Sequence, residues 1–404
     1  MRIAVDIDDT LNIVDRVGRA GAYIASRKLP FKLVDENTNF LVKTYDWQMD
    51  DVLKFIREGG ITAFTDAEAR VGAKEALSAF RAEGHEIVIL TSRTKEWFVN
   101  PEKVSKDWLE KRRIPYDDIV PEIFEKGAYC LEHGIDVLIE DNVDVCLKAQ
   151  ELGIYAVLAV GKHNVARAHE ITYGGANWKQ LYAQVERILQ IGTFERHAAQ
   201  LDGGGTHFAA LLPRGDLIAN ARALEKSAAE RGLLCRFRLT PLEKNLDAAL
   251  EGAGFPLVRT GECLVLDKIP PFPRGGSFHV TSELEEGWLK EFYALGKADY
   301  DEAVRFSAIR GERTFFTLFE GGRTVALGLS VREGETVGVY CLRVHPDYRR
   351  RGYGTALLER ILAEARKAGA KRAYAHIRAA NYPAVELVKS LGFVRAYDYW
   401  YREK

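Results

Sequence analysis

Met1-Arg2-Ile3-Ala4-Val5-Asp6-Ile7-Asp8-Asp9-Thr10 opens the chain, and the reading of this stretch decides the fold of the first half. Its apolar residues do not alternate strictly with polar ones, as expected of a parallel strand covered on both faces. Asp6 and Asp8 stand at i and i+2, so on an extended segment both carboxylates point the same way. Runs of the same kind recur at residues 86–92, 135–141 and 154–160, with helical patterns between them. Ala73, Ala76, Leu77 and Phe80 make one apolar stripe, and Gly84 stops that helix. The second run ends in Thr91 and Ser92 and the third in Glu140 and Asp141. Ligands of a parallel α/β sheet bind beyond the carboxyl ends of its strands, so these side chains are expected to meet in one crevice.

A carboxylate pair of this kind suits phosphoryl chemistry. One carboxylate attacks phosphorus, and the other handles the proton of the leaving oxygen and later of water. The charge on the phosphoryl group then needs a metal, a lysine and hydroxyl or amide donors. The chain offers Asp141 for a metal, Lys126 for charge, with Lys103 and Lys106 as competitors, and Thr91 with the amides after it. An all-oxygen site with few carboxylates suits Mg²⁺. No GxxxxGK[ST] loop is present, so P-loop chemistry is not expected.

Asp6-Ile7-Asp8-Asp9-Thr10, the Thr91 strand end, Lys126 and the Glu140-Asp141 pair resemble, in order and spacing, the four motifs of the haloacid dehalogenase superfamily over residues 1–192. The resemblance implies a Rossmann-like parallel sheet with a small helical cap. It implies Asp6 as nucleophile, Asp8 as general acid/base, Thr91 as phosphate ligand and Lys126 as charge stabiliser. Mg²⁺ would then be held by Asp6, the Asp8 carbonyl and Asp141, with Glu140 outside them or bridged by water. The cap would be residues 11–66, which read as helical and aromatic and are similar to the cap of the 5′-nucleotidase branch. An insert right after the first catalytic strand is placed to act as a lid. Tyr45 and Trp47 either stack on a substrate ring or form the core of the insert.

The 404 residues exceed what one core usually serves, so two or three domains are expected. Lys plus Arg (57) balances Asp plus Glu (58), which argues against a nucleic-acid polymer or membrane surface as partner. No apolar run approaches the roughly 20 residues of a membrane span. The five cysteines are scattered and read as buried free thiols in a cytoplasmic protein. Residues 191–206 read as a Gly-rich polar linker, and 268–276 as a second break. Across that break a weak repeat appears: residues 246–255 and 383–393 each read as a helix ending at Gly-Phe, followed by a strand-like run.

The second chemical signal is Cys341 to Leu358. A β-run leads into a loop bearing Arg349, Arg350, Arg351, Gly352 and Gly354, and then into a helix with Leu357, Leu358, Ile361, Leu362 and Ala365 on one face. Glycines let a backbone approach a ligand, and a helix N-terminus presents free N–H groups to an anion. The spacing Arg349-x-x-Gly352-x-Gly354, with Asn381 opening a helix that reaches Gly392-Phe393, resembles the GNAT acetyltransferases. The resemblance implies an α+β GNAT fold at 277–404 and acetyl-CoA as cosubstrate, with 206–267 the degenerate half of a tandem. Backbone at Leu342 and Val344 would hold the pantetheine arm and thioester. Amides from Arg350 through Tyr353 and Gly354 to Thr355 would hold the pyrophosphate, with Asn381 near the arm. The position where many relatives carry a tyrosine acid is Val388, and Glu335 and His376 are the candidate bases.

The sequence therefore predicts a bifunctional enzyme, a phosphatase acting on a small phosphate ester joined to an N-acetyltransferase acting on an amine. The alternatives are an acetyltransferase with a phosphate-sensing first domain, and an enzyme that acetylates proteins.

Overall fold

The computed structural model describes residues 1–404 except 39, 203–206, 210–214, 274, 296–305, 307–308 and 310. The chain forms two compact units, Met1–Leu189 with Pro213–Leu217, and Gln190–Leu212 with Ile218–Lys404.

The first unit contains β1 (Arg2–Val5), β2 (Asn12–Ile13), β3 (Glu68–Ala69), β4 (Glu86–Leu90), β5 (Asp118–Val120), β6 (Val137–Glu140), β7 (Tyr155–Ala159) and β8 (Tyr173–Gly175). Six of these form one sheet in the order β5-β4-β1-β6-β7-β8, with parallel pairing throughout. Ile3, Val5, Ile87, Ile89, Leu138 and Ile139 are fully buried, as strands covered on both faces require. Because β1 lies between β4 and β6, the residues that follow these three strands become neighbours although they are far apart in sequence.

The predicted insert leaves this sheet through β2 and returns through β3, which pair antiparallel at Asn12↔Ala69. Between them run the helices Arg16–Arg27, Leu41–Thr44, Met49–Phe55 and Thr62–Thr65. Tyr45 and Trp47 are the insert's own core. Trp47 is 2% exposed and packs against Tyr23 and Phe55, with ring centroids 6.2 and 5.5 Å away. The Tyr45 hydroxyl donates to the Val17 carbonyl at 2.8 Å. Neither ring is available to stack on a ligand.

The second unit contains β9 (His207–Ala209), β10 (Leu234–Leu239), β11 (Leu257–Leu266), β12 (Ser277–Thr281), β13 (Glu312–Glu320), β14 (Arg323–Glu333), β15 (Thr336–Val344), β16 (Arg372–Arg378) and β17 (Val394–Glu403). Among the described residues they form one sheet, β12-β13-β14-β15-β16-β11-β17-β10-β9. On one face Leu357, Leu358, Ile361 and Val388 join the core, and on the other Trp288, Phe292, Phe315 and Tyr374 do.

Two features differ from the sequence reading. Residues 191–202, predicted as linker, continue the helix Trp178–Asp202; residues 203–206 of that prediction lie outside the described residues. The helix persists because the segment is rich in good helix formers, and because Ile191 and Phe194, three apart, are both buried in the second unit. Among the described residues, the region 206–267 also has no sheet of its own. Its β10, helix Lys244–Gly252 and β11 repeat the order of β16, helix Tyr382–Ser390 and β17, and the two copies interleave as β16-β11-β17-β10. Each copy's second strand thus lies between strands of the other. The interleaving demands Gly261, because a Cβ there would lie 2.1 Å from the Tyr399 ring.

Candidate active sites

Asp6 follows β1, and its amide donates to the Ile139 carbonyl at 3.0 Å, which fixes the chain beside β6. Lys126 opens the helix Lys126–Glu132 and is 3% exposed. Its Nζ donates to Asp6 Oδ1 and to Glu140 Oε2, each at 2.6 Å. Lys103 and Lys106 pair instead with Asp107 and Glu102 on the surface of their own helix, which leaves Lys126 as the charge at this site. Thr91 is 1% exposed at the end of β4, and its hydroxyl accepts from the Arg93 amide at 3.3 Å. Asp6, Asp8, Thr91, Lys126, Glu140 and Asp141 all line one cleft of about 550 Å³ in the first unit.

The electrostatics divide the carboxylates. Burial pushes Asp6 up to about 7, against the pull of Lys126, while Glu140 and Asp8 add to the rise. Burial also raises Glu140 and Asp141. Asp8 goes the other way. Burial opposes its charge, but Arg93 donates to both of its oxygens, at 2.8 and 2.7 Å, and Asn12 adds a third bond at 3.0 Å. Together they hold Asp8 below the usual carboxylate range. In the resting protein Asp8 is therefore held as the carboxylate.

Whether Mg²⁺ suits the site follows from its donor set. Oxygens of Asp6, Glu140 and Asp141 lie within 4.8 Å of one another, and Lys126 is the cation that bridges two of them. Three buried carboxylates face the Lys126 ammonium and, at Asp141, the His163 ring, and all the candidate ligand atoms of this set are carboxylate oxygens. The residues fit a hard divalent cation. Glu140, expected outside the metal ligands, belongs to this group by distance. Asp8 has its side chain engaged by Arg93, which leaves its carbonyl for the role foreseen.

Arg93 and His163 were missed by the sequence reading. Arg93 stands two residues beyond Thr91, the same i, i+2 relation that drew attention to Asp6 and Asp8. His163 lies in the loop after β7, the one strand end that had looked chemically empty; its Nε2 is 2.8 Å from Asp141 Oδ2. Burial opposes the imidazolium, but the Asp141 carboxylate overcomes it and raises the His163 pKa.

In the second unit β15 and β16 pair in parallel from Thr336↔Arg372 to Val339↔Ala375, and there the register stops. β15 runs on along β14 to Val344, and β16 runs on along β11 to Arg378. A wedge therefore opens between them, with Leu342 and Val344 on one side. At its β15 edge Cys341 has φ 57, beside a register shift opposite Leu327–Leu329. The chain then passes through an exposed loop into the helix Tyr353–Lys367. Gly352 caps this helix with φ 85 and ψ −5, a left-handed conformation. Arg350 is left-handed too, at φ 63, a conformation that costs a non-glycine residue energy. Arg349, Arg350 and Arg351 are exposed, and Arg349 Nε donates to the Val344 carbonyl at 3.3 Å. Tyr353, Gly354 and Thr355 form the first turn of the helix, and the exposed Asn381 caps the helix Tyr382–Ser390.

The two candidate bases have different surroundings. Glu335 sits in the turn before β15, at the far end of that strand from the loop, and pairs with Lys371 at 2.5 Å. His376 is the first residue past the end of the β15–β16 register, but its side chain is only 6% exposed. Its Nε2 lies 2.9 Å from Glu195 Oε1 and 3.1 Å from the Tyr397 hydroxyl. Glu195 also accepts from Tyr397 at 2.7 Å and from Arg238 Nε at 2.6 Å. Burial opposes the Glu195 charge, yet His376 and Arg238 overcome it and hold the carboxyl well below its usual range. Val388, in the acid position, is fully buried core.

The Glu195 cluster carries a stability prediction. Its depressed folded-state pKa gives stability that is present above the ordinary carboxylate value and lost as pH falls below it. Glu195→Gln removes a buried ion-pair partner and is expected to cost about 3 kcal/mol at pH 7. Chemical denaturation from pH 7 to 3 should show the variant closing on wild type as the pH falls. A constant difference across that range would refute the assignment.

Comparison with known proteins places matches in the second unit. The family model described as Acetyltransferase (GNAT) family matches residues 280–393. The [ribosomal protein bS18]-alanine N-acetyltransferase of Escherichia coli (strain K12) is 35% identical over 92 residues, 22% of this chain and 62% of that protein. The chain thus spans about three fifths of the length of this relative. The counterpart from Salmonella typhimurium is 32% identical over 117 residues, 29% of this chain and 78% of that protein. A solved GCN5-related N-acetyltransferase from Kribbella flavida aligns at TM-score 0.38 and 17% identity, over 47% of this chain and 75% of that one. Among the described residues no helix is long and apolar enough to cross a membrane.

Proposed function

Through its C-terminal part the chain belongs to the GNAT acetyltransferase family, and from that premise we propose that it acetylates the α-amine of a polypeptide N-terminus. The observation that carries this is the wedge between β15 and β16 leading into the Gly352-capped helix, a place for a thioester arm beside a place for a pyrophosphate. The amine nitrogen attacks the thioester carbonyl carbon, the C–S bond breaks with its electron pair going to sulfur, and the nitrogen loses a proton. Of the residues singled out, Glu335 pairs with Lys371, Val388 has no titratable group and His376 is held by Glu195. An α-amine, with pKa about 8, is roughly a tenth free base at pH 7, whereas a lysine near 10.4 is almost wholly protonated. The α-amine thus reaches its reactive form with less help from a base. The curated relatives, named as alanine N-acetyltransferases of a ribosomal protein, agree with this acceptor class. Mass spectrometry of protein N-termini from cells expressing the full chain should show acetylated α-amines that a Gly352→Val variant produces in much smaller amount. Acetylation confined to small amines or to lysines would sink the proposal.

A second reading concerns the first unit, and the Lys126 bridge between Asp6 and Glu140 favours it. We propose that this unit hydrolyses phosphomonoesters with Mg²⁺. An Asp6 oxygen attacks phosphorus, the ester P–O bond breaks with its electrons going to the leaving oxygen, which takes a proton from Asp8, and water then attacks phosphorus, giving a proton back to Asp8, to release phosphate and regenerate Asp6. Lys126 and Thr91 face the phosphoryl group, and Asp8 accepts the proton of the attacking water. Mg²⁺, held by Asp6, Asp141 and the Asp8 carbonyl, would offset phosphoryl charge.

A further inference from the structure

The cleft around Asp6 has two chemically distinct walls. Its inner end is polar, and every cation lining it is engaged: Arg93 with Asp8, Lys126 with Asp6 and Glu140, and Arg16 with Asp9. Its apolar side is built by Phe40, Val42, Met49 and Phe64 from the insert and by Trp97 and Phe124 from the sheet domain, with the polar Ser92, Thr94 and Asn142 nearer the strand ends. Phe40, Met49 and Phe124 are 51%, 56% and 61% exposed. Large apolar side chains gathered open to water in one concave place mark a binding surface. Lys43, beside this wall, lies 5.4 Å from the Phe40 ring as a cation–π contact. The charged lining residue of the outer part is Glu96, which is exposed.

We propose that the phosphomonoester taken by this cleft carries an aryl or aryl-alkyl alcohol, neutral or cationic, rather than a sugar or a second anionic group. The inference rests on the phosphohydrolase reading for its chemistry but on the apolar side for its specificity. A sugar would strip its hydroxyls of water against carbon, and buried polar groups without partners are costly. A second phosphate or carboxylate would meet Glu96 and no uncommitted cation among the described lining residues. An aromatic ring would cover Phe40, Met49 and Phe124, in a cleft whose whole volume is about 550 Å³.

The test uses the full chain with Mg²⁺ and compares phenethyl phosphate with glucose 6-phosphate and fructose 1,6-bisphosphate, in wild type, Phe40→Asp and Met49→Asp. In parallel, calorimetry measures phenethylphosphonate and methylphosphonate binding to an Asp6→Asn background. Phenethyl phosphate should be preferred by at least about tenfold in kcat/KM, a loss in both wall variants should fall mainly on KM, and phenethylphosphonate should bind at least about tenfold tighter than methylphosphonate. Both wall residues are exposed, so the variants should fold, and their acetyl-CoA binding checks it. Preference for either sugar ester, with both variants neutral, overturns the inference while leaving the phosphohydrolase intact. No turnover of any ester, with ring-dependent phosphonate binding that Met49→Asp abolishes, ends the phosphohydrolase reading but upholds the ligand class. No turnover and no ring-dependent binding overturn both.

Discussion

Gly352→Val is expected to weaken acetyl-CoA binding by about 10- to 100-fold while leaving the fold in place. The magnitude follows from the backbone. Gly352 sits at φ 85 directly before the helix Tyr353–Lys367, a conformation that costs an ordinary residue roughly 1–2 kcal/mol and a β-branched one more. No heavy atom lies within 4 Å of the position a Cβ would take, so no clash in the core accompanies the change. The penalty instead falls on the loop that must present its amides to the pyrophosphate. Gly352→Ala should show a smaller effect, about fivefold, since alanine tolerates the left-handed region better than valine. Arg350→Ala provides the contrast. Its guanidinium is exposed, so its attraction is screened, and its loss should cost only a few-fold and shrink further in high salt. Calorimetric titration with acetyl-CoA separates the cases. Wild-type affinity in Gly352→Val would show that the loop does not bind the pyrophosphate.

The parts legible in the sequence are those where a local rule and the global fold agree. Runs of Val, Ile and Leu without alternation became the parallel strands β1, β4, β6 and β7, because burial on both faces leaves no polar alternative. Lys126 was chosen over Lys103 and Lys106 in the sequence by its place ahead of Glu140-Asp141, and the physical distinction is burial: one ammonium is enclosed with two carboxylates and the others lie on a helix surface. Arg93 was hidden for a related reason. An arginine beside Thr91 looks like any solvated cation until β4 and β1 lie side by side and bring it to Asp8. The helix through residues 191–202 was misread because polar residues and Gly192 outweighed its apolar spacing. Ile191 and Phe194 show their purpose only against a sheet assembled from distant segments. Glu195 was not noticed for the same reason, since its partners His376, Tyr397 and Arg238 come from three different strands.

Asp6→Asn is expected to lower phosphate release by at least about 10⁴-fold, the loss typical of removing a covalent nucleophile. Asparagine matches aspartate in shape, and its amide oxygen still accepts from Lys126, so the site should keep its geometry. What it loses is an oxygen able to form a bond to phosphorus. The substitution also discriminates between a hydrolase and a phosphate sensor, which place different demands on the same carboxylates. A sensor needs only charge and hydrogen-bond complementarity to phosphate. Replacing buried Asp6 by a neutral residue would make the site less negative and should strengthen phosphate binding. A hydrolase needs the attacking oxygen, so the variant should bind a phosphonate at least as well as wild type while turnover disappears. Phosphate release measured with Mg²⁺, beside phosphonate binding by calorimetry, reads both quantities. Wild-type turnover that survives in Asp6→Asn would exclude Asp6 as nucleophile. Binding without turnover in wild type and variant alike would make the Asp6–Lys126–Glu140 cluster a receptor for phosphate rather than a catalyst.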